Sequence, residues 1–334
     1  MNPTAVITGA TGHVGFALLK LFQQRGEVPR ILIRRDTPVF DGIPCEKVYG
    51  DVTDPASLQA AFAGMQTVYH LAGLIEVNPG HEAEIFRVNT QGTQNVIDAC
   101  RACGIKRLVY TSSVDAYPPL PGNEIMREIT QFCPQILDGT YAQSKAQATQ
   151  LVLDAAKEGS FEAVIGYPSA CIGPYDFRVS NIGEMVRMFM KGKFPVSLDF
   201  GAYNFVDVRD VAMGLLAAAE KGRNGEGYLL TGDSVSVDGL MHLLAEVCTE
   251  LPNCPDRKAP GLCLPLWLTK AVAPLAEVYY NLAKATPLFT RYAVRKLESN
   301  CNFSHDKAKT ELGYYPMSAK DSLRDMVRWI LENQ

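Results

Sequence analysis

Tyr141-Ala142-Gln143-Ser144-Lys145 sets a phenol and an ammonium four residues apart. If Ala142 onward is helical, both groups stand on one helix face. A free tyrosine has a pKa of about 10, too high for easy proton exchange near neutrality. A fixed cation beside it stabilises the phenolate and lowers that value. The pair would then donate a proton to a carbonyl that is receiving hydride. Upstream, Val109-Tyr110-Thr111-Ser112-Ser113 reads as an apolar strand ending in hydroxyls, one of which can hydrogen-bond the substrate oxygen and aim it at Tyr141. Each motif also has a plain structural reading: an exposed Tyr and Lys on a helix, and hydroxyls capping a strand.

A second constellation lies at the start of the chain. In Val6-Ile7-Thr8-Gly9-Ala10-Thr11-Gly12-His13-Val14-Gly15 three glycines follow an apolar strand and open a helix. Glycines allow the tight turn and the close approach of backbone to a pyrophosphate, and the helix N-terminus offers free N–H groups to the anion. Gly9, Thr11, Gly12, His13 and Val14 are therefore expected to touch a dinucleotide, His13 as a loop-packing residue and not a catalyst. The residue after the second strand, Arg30–Ile33, sorts a ribose hydroxyl from a ribose phosphate. Arg34 and Arg35 stand there; two guanidiniums can fork onto a phosphate, which favours NADP(H) and leaves NAD(H) as the other choice. Asp51, in Gly50-Asp51-Val52, could accept from an adenine amino group or cap a turn.

The elements that must position these groups alternate. Short β-branched runs at Thr4–Thr8, Arg30–Ile33, Thr67–Leu71, Arg107–Thr111 and Ala163–Tyr167 are separated by helical patterns at Val14–Gln24, Ala56–Phe62, Glu84–Ala102 and Ala142–Lys157. This spacing predicts an α/β fold, a doubly wound parallel sheet of Rossmann type. Residues 1–170 would form the dinucleotide domain, with later segments returning to it. Residues 171–334, with a helix at Asn181–Lys191, a run Tyr203–Val208, a helix Val211–Glu220 and a run Gly227–Leu230, read as a smaller, less regular substrate lobe. The apolar stretch Leu262–Leu288 is broken by Lys270, Glu277, Lys284 and prolines, which argues for a lid or buried helix pair and against stable membrane insertion.

Composition narrows the partners. The chain has 334 residues, 47% of them hydrophobic, and a net charge of −4 without long charge blocks, so nucleic acid is not expected. Nine cysteines and a start without a signal-type segment suggest a reduced, cytoplasmic setting. Cys100 and Cys103 form a single CxxC with no second ligand pair, so no metal site is expected.

Taken in order, Thr8–Gly15, Gly50–Thr53, His70–Gly73, Val88–Asn95, Tyr110–Tyr117, Tyr141–Lys145, Pro168 to Pro174, Phe205–Ala212 and Glu311–Tyr314 resemble the extended branch of the short-chain dehydrogenase/reductase superfamily, nearest its dihydroflavonol reductase and 3β-hydroxysteroid dehydrogenase group. The resemblance implies Tyr141 as general acid/base, Lys145 as its pKa-lowering neighbour and ribose ligand, and Ser113, four places before Tyr117, as the orienting hydroxyl. It further implies that Asp51 and Val52 flank adenine, that Leu71, Ala72 and Gly73 line the ribose and phosphates, and that Pro168 onward borders the nicotinamide, with Thr111 a further cofactor contact. Asn89 matches a family asparagine that shapes the supporting helix.

Two departures bear on substrate. Tyr203 and Tyr167 stand where the nucleotide-sugar enzymes of this superfamily often carry arginine, removing cations that a diphosphate would need. With Trp267, Tyr279, Tyr280 and Phe289 as a candidate apolar wall, the expectation is a small-molecule enzyme interconverting carbonyl and alcohol on a hydrophobic substrate. A nucleotide-sugar epimerase or dehydratase is the alternative enzyme, and a non-catalytic dinucleotide sensor the alternative of another class. Helices Glu84–Ala102 and Ala142–Lys157 resemble the pair through which many relatives dimerise, so a homodimer is expected as one option.

Overall fold

The computed structural model describes residues 4–75, 80–194, 196–273 and 291–333. Six strands come first: β1 (Ala5–Thr8), β2 (Arg30–Ile33), β3 (Glu46–Tyr49), β4 (Thr67–His70), β5 (Arg107–Thr111) and β6 (Glu162–Pro168). The chain then leaves this layer for β7 (Ala170–Ile172), β8 (Ser197–Leu198) and β9 (Ala202–Asp207). It returns with β10 (Gly227–Leu230) before adding β11 (Asp233–Ser236) and β12 (Cys263–Leu264). The main sheet runs β10-β6-β5-β4-β1-β2-β3 with every pair parallel. The strand order therefore reverses between β1 and β4, and the carboxyl ends there are where sheets of this kind take their ligands.

Alternation along the strands explains the two covered faces. Val6 and Leu108 point into one core with α2 (Pro55–Phe62), α4 (Gly92–Cys103) and α5 (Thr140–Glu158). Their neighbours Ile7 and Val109 point into the other, with α1 (His13–Gln24), α7 (Val208–Lys221) and α11 (Asp306–Leu312). Truncating a fully buried side chain such as Ile7 or Leu18 costs about 2–5 kcal/mol.

Two expectations need correction. The single helix expected over Glu84–Ala102 is three pieces: α3 (Glu82–Phe86), a π-turn at Arg87–Gln91, and α4. The widened turn carries Asn89, whose side chain is engaged on both sides, as described below; such insertions concentrate at functional sites. The second lobe is also more regular than its proline-broken sequence suggested. A mixed three-stranded sheet, β11-β9-β7, packs with α6 (Asn181–Met190), α8 (Val237–Glu250) and α12 (Ala319–Glu332) around a third core built on Met241, Leu244, Leu323 and Val327. Serines cap all three helices, at Ser180, Ser236 and Ser318.

Of the apolar stretch, residues 266–273 form α9; the chain resumes with α10 (Arg291–Glu298). Trp267 is 70% exposed, so it walls no pocket, and Tyr279, Tyr280 and Phe289 lie outside the described residues. Among the described residues no helix is long and apolar enough to cross a membrane.

Candidate active site

The glycine loop sits at the carboxyl end of β1. Gly9 has φ +79°, and a Cβ there would lie 2.5 Å from the Ala72 amide nitrogen; at Gly15 it would lie 2.2 Å from the Gly9 carbonyl. Neither position accepts a side chain. At Gly12 a Cβ would lie 3.2 Å from the Gly9 carbonyl oxygen, and Gly12 caps α1 without a side-chain acceptor for the first-turn amides. That cradle suits a pyrophosphate. Val14 packs against the α1 face of the core. His13 is half-buried, and desolvation lowers its pKa. The neutral ring donates from Nε2 to the Pro174 carbonyl at 2.8 Å, so it ties the loop to the second lobe.

Behind the loop lies a directional chain of hydrogen bonds. Thr93 donates to the Asn89 carbonyl, 2.6 Å, and therefore accepts from His70 Nε2, 3.0 Å. His70 Nδ1 is then an acceptor and takes the Thr8 hydroxyl proton, 2.8 Å, while Thr8 Oγ1 accepts from the Ala72 amide, 3.2 Å. Burial, helped by the Lys145 charge, depresses His70 to about 3, which keeps this tautomer neutral. The Asn89 carboxamide accepts from the Leu74 amide and donates to the Leu74 carbonyl and to Ser144 Oγ, at 2.7, 3.0 and 3.0 Å. The ends of β1 and β4 are thus bonded to the helix that carries Ser144 and Lys145.

Tyr141 and Lys145 both lie on α5 and are 8% and 5% exposed. Lys145 Nζ donates to the Thr111 carbonyl, 2.8 Å, and stands over the Tyr110 ring. A Cβ on Gly73 would come within 3.4 Å of the same amine, which places the Leu71–Gly73 backbone beside it. Burial lowers Lys145 to about 8. Tyr141 moves opposite to the expected direction: desolvation first, then the Asp115 carboxylate, raise its pKa, and the Ser113 hydroxyl only partly offsets this by hydrogen bonding the phenol. Desolvation dominates, so the phenol stays protonated at neutral pH.

The two serines differ. Ser112 donates to Thr149 Oγ1, 2.6 Å, in the core, whereas Ser113 caps a short 3-10 turn by accepting from the Asp115 amide and engages Tyr141. Two buried hydroxyls near this edge, Thr111 Oγ1 and Ser169 Oγ, have no hydrogen-bond partner among the described residues. Unpaired buried hydroxyls of this kind fit a polar ligand. Pro168 ends β6 directly before Ser169.

At the opposite end, Arg34 is 71% exposed and 4.0 Å from Asp51. Asp51 Oδ1 accepts from the amide and hydroxyl of Thr53, a turn-capping role that leaves Oδ2 to face Arg34. Val52 is buried against Gly92, and its carbonyl accepts from Asn95. Sequence reasoning did not single out His70 as a connector, Asp115 as an influence on Tyr141, or Arg178, whose Nη2 donates to Thr11 Oγ1. Asp115 also pairs with Lys296 of α10 at 2.7 Å.

A parallel sheet whose carboxyl edge gathers a glycine loop and a Ser, Tyr and Lys is the arrangement of dinucleotide-dependent short-chain dehydrogenases and reductases. The profile of the NAD dependent epimerase/dehydratase family matches residues 5–230, and the chain belongs to that family, the extended branch of this superfamily. It is 33% identical to "Sterol demethylase protein B" of Methylococcus capsulatus, covering 98% of each chain. It is 30% identical to "4-hydroxy-2-methyl-3-oxo-4-farnesyl-3,4-dihydroquinoline-1-oxide ketoreductase" of Stigmatella aurantiaca, covering 92% of this chain and 90% of that one. Among solved structures, that of gox2253 superposes with a TM-score of 0.85 at 29% identity, covering 99% of both chains.

Proposed function

We propose that the protein interconverts a carbonyl and the corresponding alcohol on a hydrophobic, ring-bearing small molecule, with NADP(H) preferred over NAD(H), in the cytoplasm. The observation that carries this reading is the buried Ser113, Tyr141 and Lys145 cluster beside the Gly73 backbone. Relatives whose names specify a sterol and a farnesylated quinoline ketone support the substrate class. Two tyrosines are consistent with it. Tyr167, in place of a diphosphate-binding arginine, is fully buried and packs edge-on to Tyr117; Tyr203 packs near Phe205.

The nicotinamide cofactor, when bound, supplies or accepts the hydride. Gly9 to Val14 would hold its pyrophosphate, Asp51 and Val52 its adenine, Leu71 to Gly73 and Lys145 its ribose side, and Pro168 its nicotinamide, with Thr111 a further cofactor contact. In the reductive direction Ser113 donates a hydrogen bond to the substrate oxygen and holds it against Tyr141, which is protonated at neutral pH and delivers the proton. Lys145 then stabilises the phenolate left on Tyr141, and the dry surroundings strengthen that attraction. In the other direction the same groups act in reverse, Tyr141 taking the alcohol proton.

The test is net turnover. Purified protein with NADPH and a panel of steroid and quinoline ketones is expected to show substrate-dependent loss of nicotinamide absorbance. Conversion of a nucleotide sugar without net cofactor consumption would overturn the reading.

A further inference from the structure

The segment between β7 and α6 belongs to the second lobe yet lies on the glycine loop. Its Pro174 carbonyl takes the His13 proton, and Phe16 of α1 meets both Tyr175 and Phe177, with ring centroids 5.3 and 5.0 Å apart. Phe177 is also edge-on to Trp329 of α12 at 5.1 Å. Buried Asp176 accepts from the Ser180 amide and hydroxyl. Tyr175 and Val179 hold φ at 76° and 50°, a backbone region costly for a β-branched residue. The segment is thus fixed in one shape, with Arg178 at its tip.

Arg178 donates from Nη2 to Thr11 Oγ1 at 2.5 Å, and among the described residues no carboxylate pairs with it. Arg35 likewise has no ion pair among the described residues, and Arg34 has only Asp51 at 4.0 Å. Burial first, then the charges of Arg34 and Arg35, push the Arg178 pKa down. Like charges that act on one another repel, and a dianion of about −1.5 to −2 would cancel that repulsion.

We propose that Arg178, carried by the second lobe, completes with Arg34, Arg35 and the Thr11 hydroxyl a site for the 2′-phosphate of an NADP-type cofactor, clamping that phosphate between the two lobes. This rests on the NADP(H) preference proposed above and adds a cross-lobe ligand to it. The Thr11 hydroxyl holds the guanidinium in place before the phosphate arrives. The pyrophosphate is the other phosphate the cofactor offers, but it is common to NADH and NADPH, so the two nucleotides separate the sources.

The experiment measures dissociation constants for NADPH and NADH by nicotinamide fluorescence, with 2′,5′-ADP and 5′-ADP as competitors, for wild type, Arg34→Ala and Arg178→Ala, together with thermal midpoints. Arg178→Ala is expected to weaken NADPH and 2′,5′-ADP by about tenfold or more, to leave NADH and 5′-ADP within about twofold, and to keep or raise the midpoint of the nucleotide-free protein. Equal weakening of both cofactors, or no weakening, overturns the role of Arg178; a lowered midpoint with equal weakening marks it as structural. If Arg34→Ala alone abolishes a wild-type preference for NADPH, the NADP(H) reading stands and the clamp fails. If wild type binds NADH as tightly as NADPH, both fail.

Discussion

The two ends of the sheet's carboxyl edge are built from opposite materials. At the Tyr141 end Ser113, Tyr141 and Lys145 are all buried, the amine of Lys145 is pushed towards neutrality, and two hydroxyls lack partners among the described residues. At the end that follows β2, Arg34 and Arg35 are exposed, Arg34 stands 4.0 Å from one carboxylate, and Arg178 donates to Thr11. A dry site makes each interaction with a reacting oxygen strong; a wet cationic site attracts an anion from a distance and is screened by salt. The difference teaches that changes at one end should strike turnover, and at the other end affinity.

The largest effect is expected from Lys145→Met, which removes the cation from the dry end. Turnover should fall by about 10²–10⁴-fold, measured in steady state, whereas an equal loss from Arg34→Ala would erase the contrast between the ends. The same variant reports on burial. Lys145 titrates near about 8 in the folded chain against about 10.4 unfolded, so the folded state binds fewer protons across that window and its stability rises with pH there. Denaturant melts at pH 8 and pH 10 should show the wild type gaining on Lys145→Met as pH rises; a constant difference would mean the amine is not desolvated.

A finer division separates the adjacent serines. Ser113→Ala is expected to lower turnover about a hundredfold. Ser112→Ala, which loses only the core bond to Thr149, should cost about 1 kcal/mol of stability with turnover kept. Reversal of the two would move the orienting role to Ser112. The smallest effect belongs to the wet end: Arg34→Glu should raise the NADPH Michaelis constant about tenfold with turnover at saturation unchanged, and an unchanged constant would leave Arg34 a solvated surface residue.

Local spacing made much of this legible. Gly9 and Gly15 announce a turn because no side chain fits there, and Tyr141 and Lys145 needed only helical spacing to share a face. The sheet was readable from β-branched runs alternating with helices. What sequence could not supply depends on distant partners. The bond chain through Thr8, His70, Thr93 and Asn89 spans residues far apart in the chain, and the π-turn that seats Asn89 has no periodicity of its own. The direction of the Tyr141 shift followed from burial, which the YxxxK spacing does not report. Helices α8 and α12 went unread because their apolar faces are completed by each other and by β9. Arg178 was silent because its loop reaches the glycine loop only in three dimensions.

The most direct measurement is made on Tyr141→Phe, with NADPH affinity by nicotinamide fluorescence and ketone turnover determined on the same preparation. We expect NADPH binding within about twofold of wild type and turnover lower by at least about a hundredfold, because the phenol proton is lost while the cofactor contacts remain. Near-normal turnover would contradict the central claim that Tyr141 is the proton donor of a carbonyl reductase.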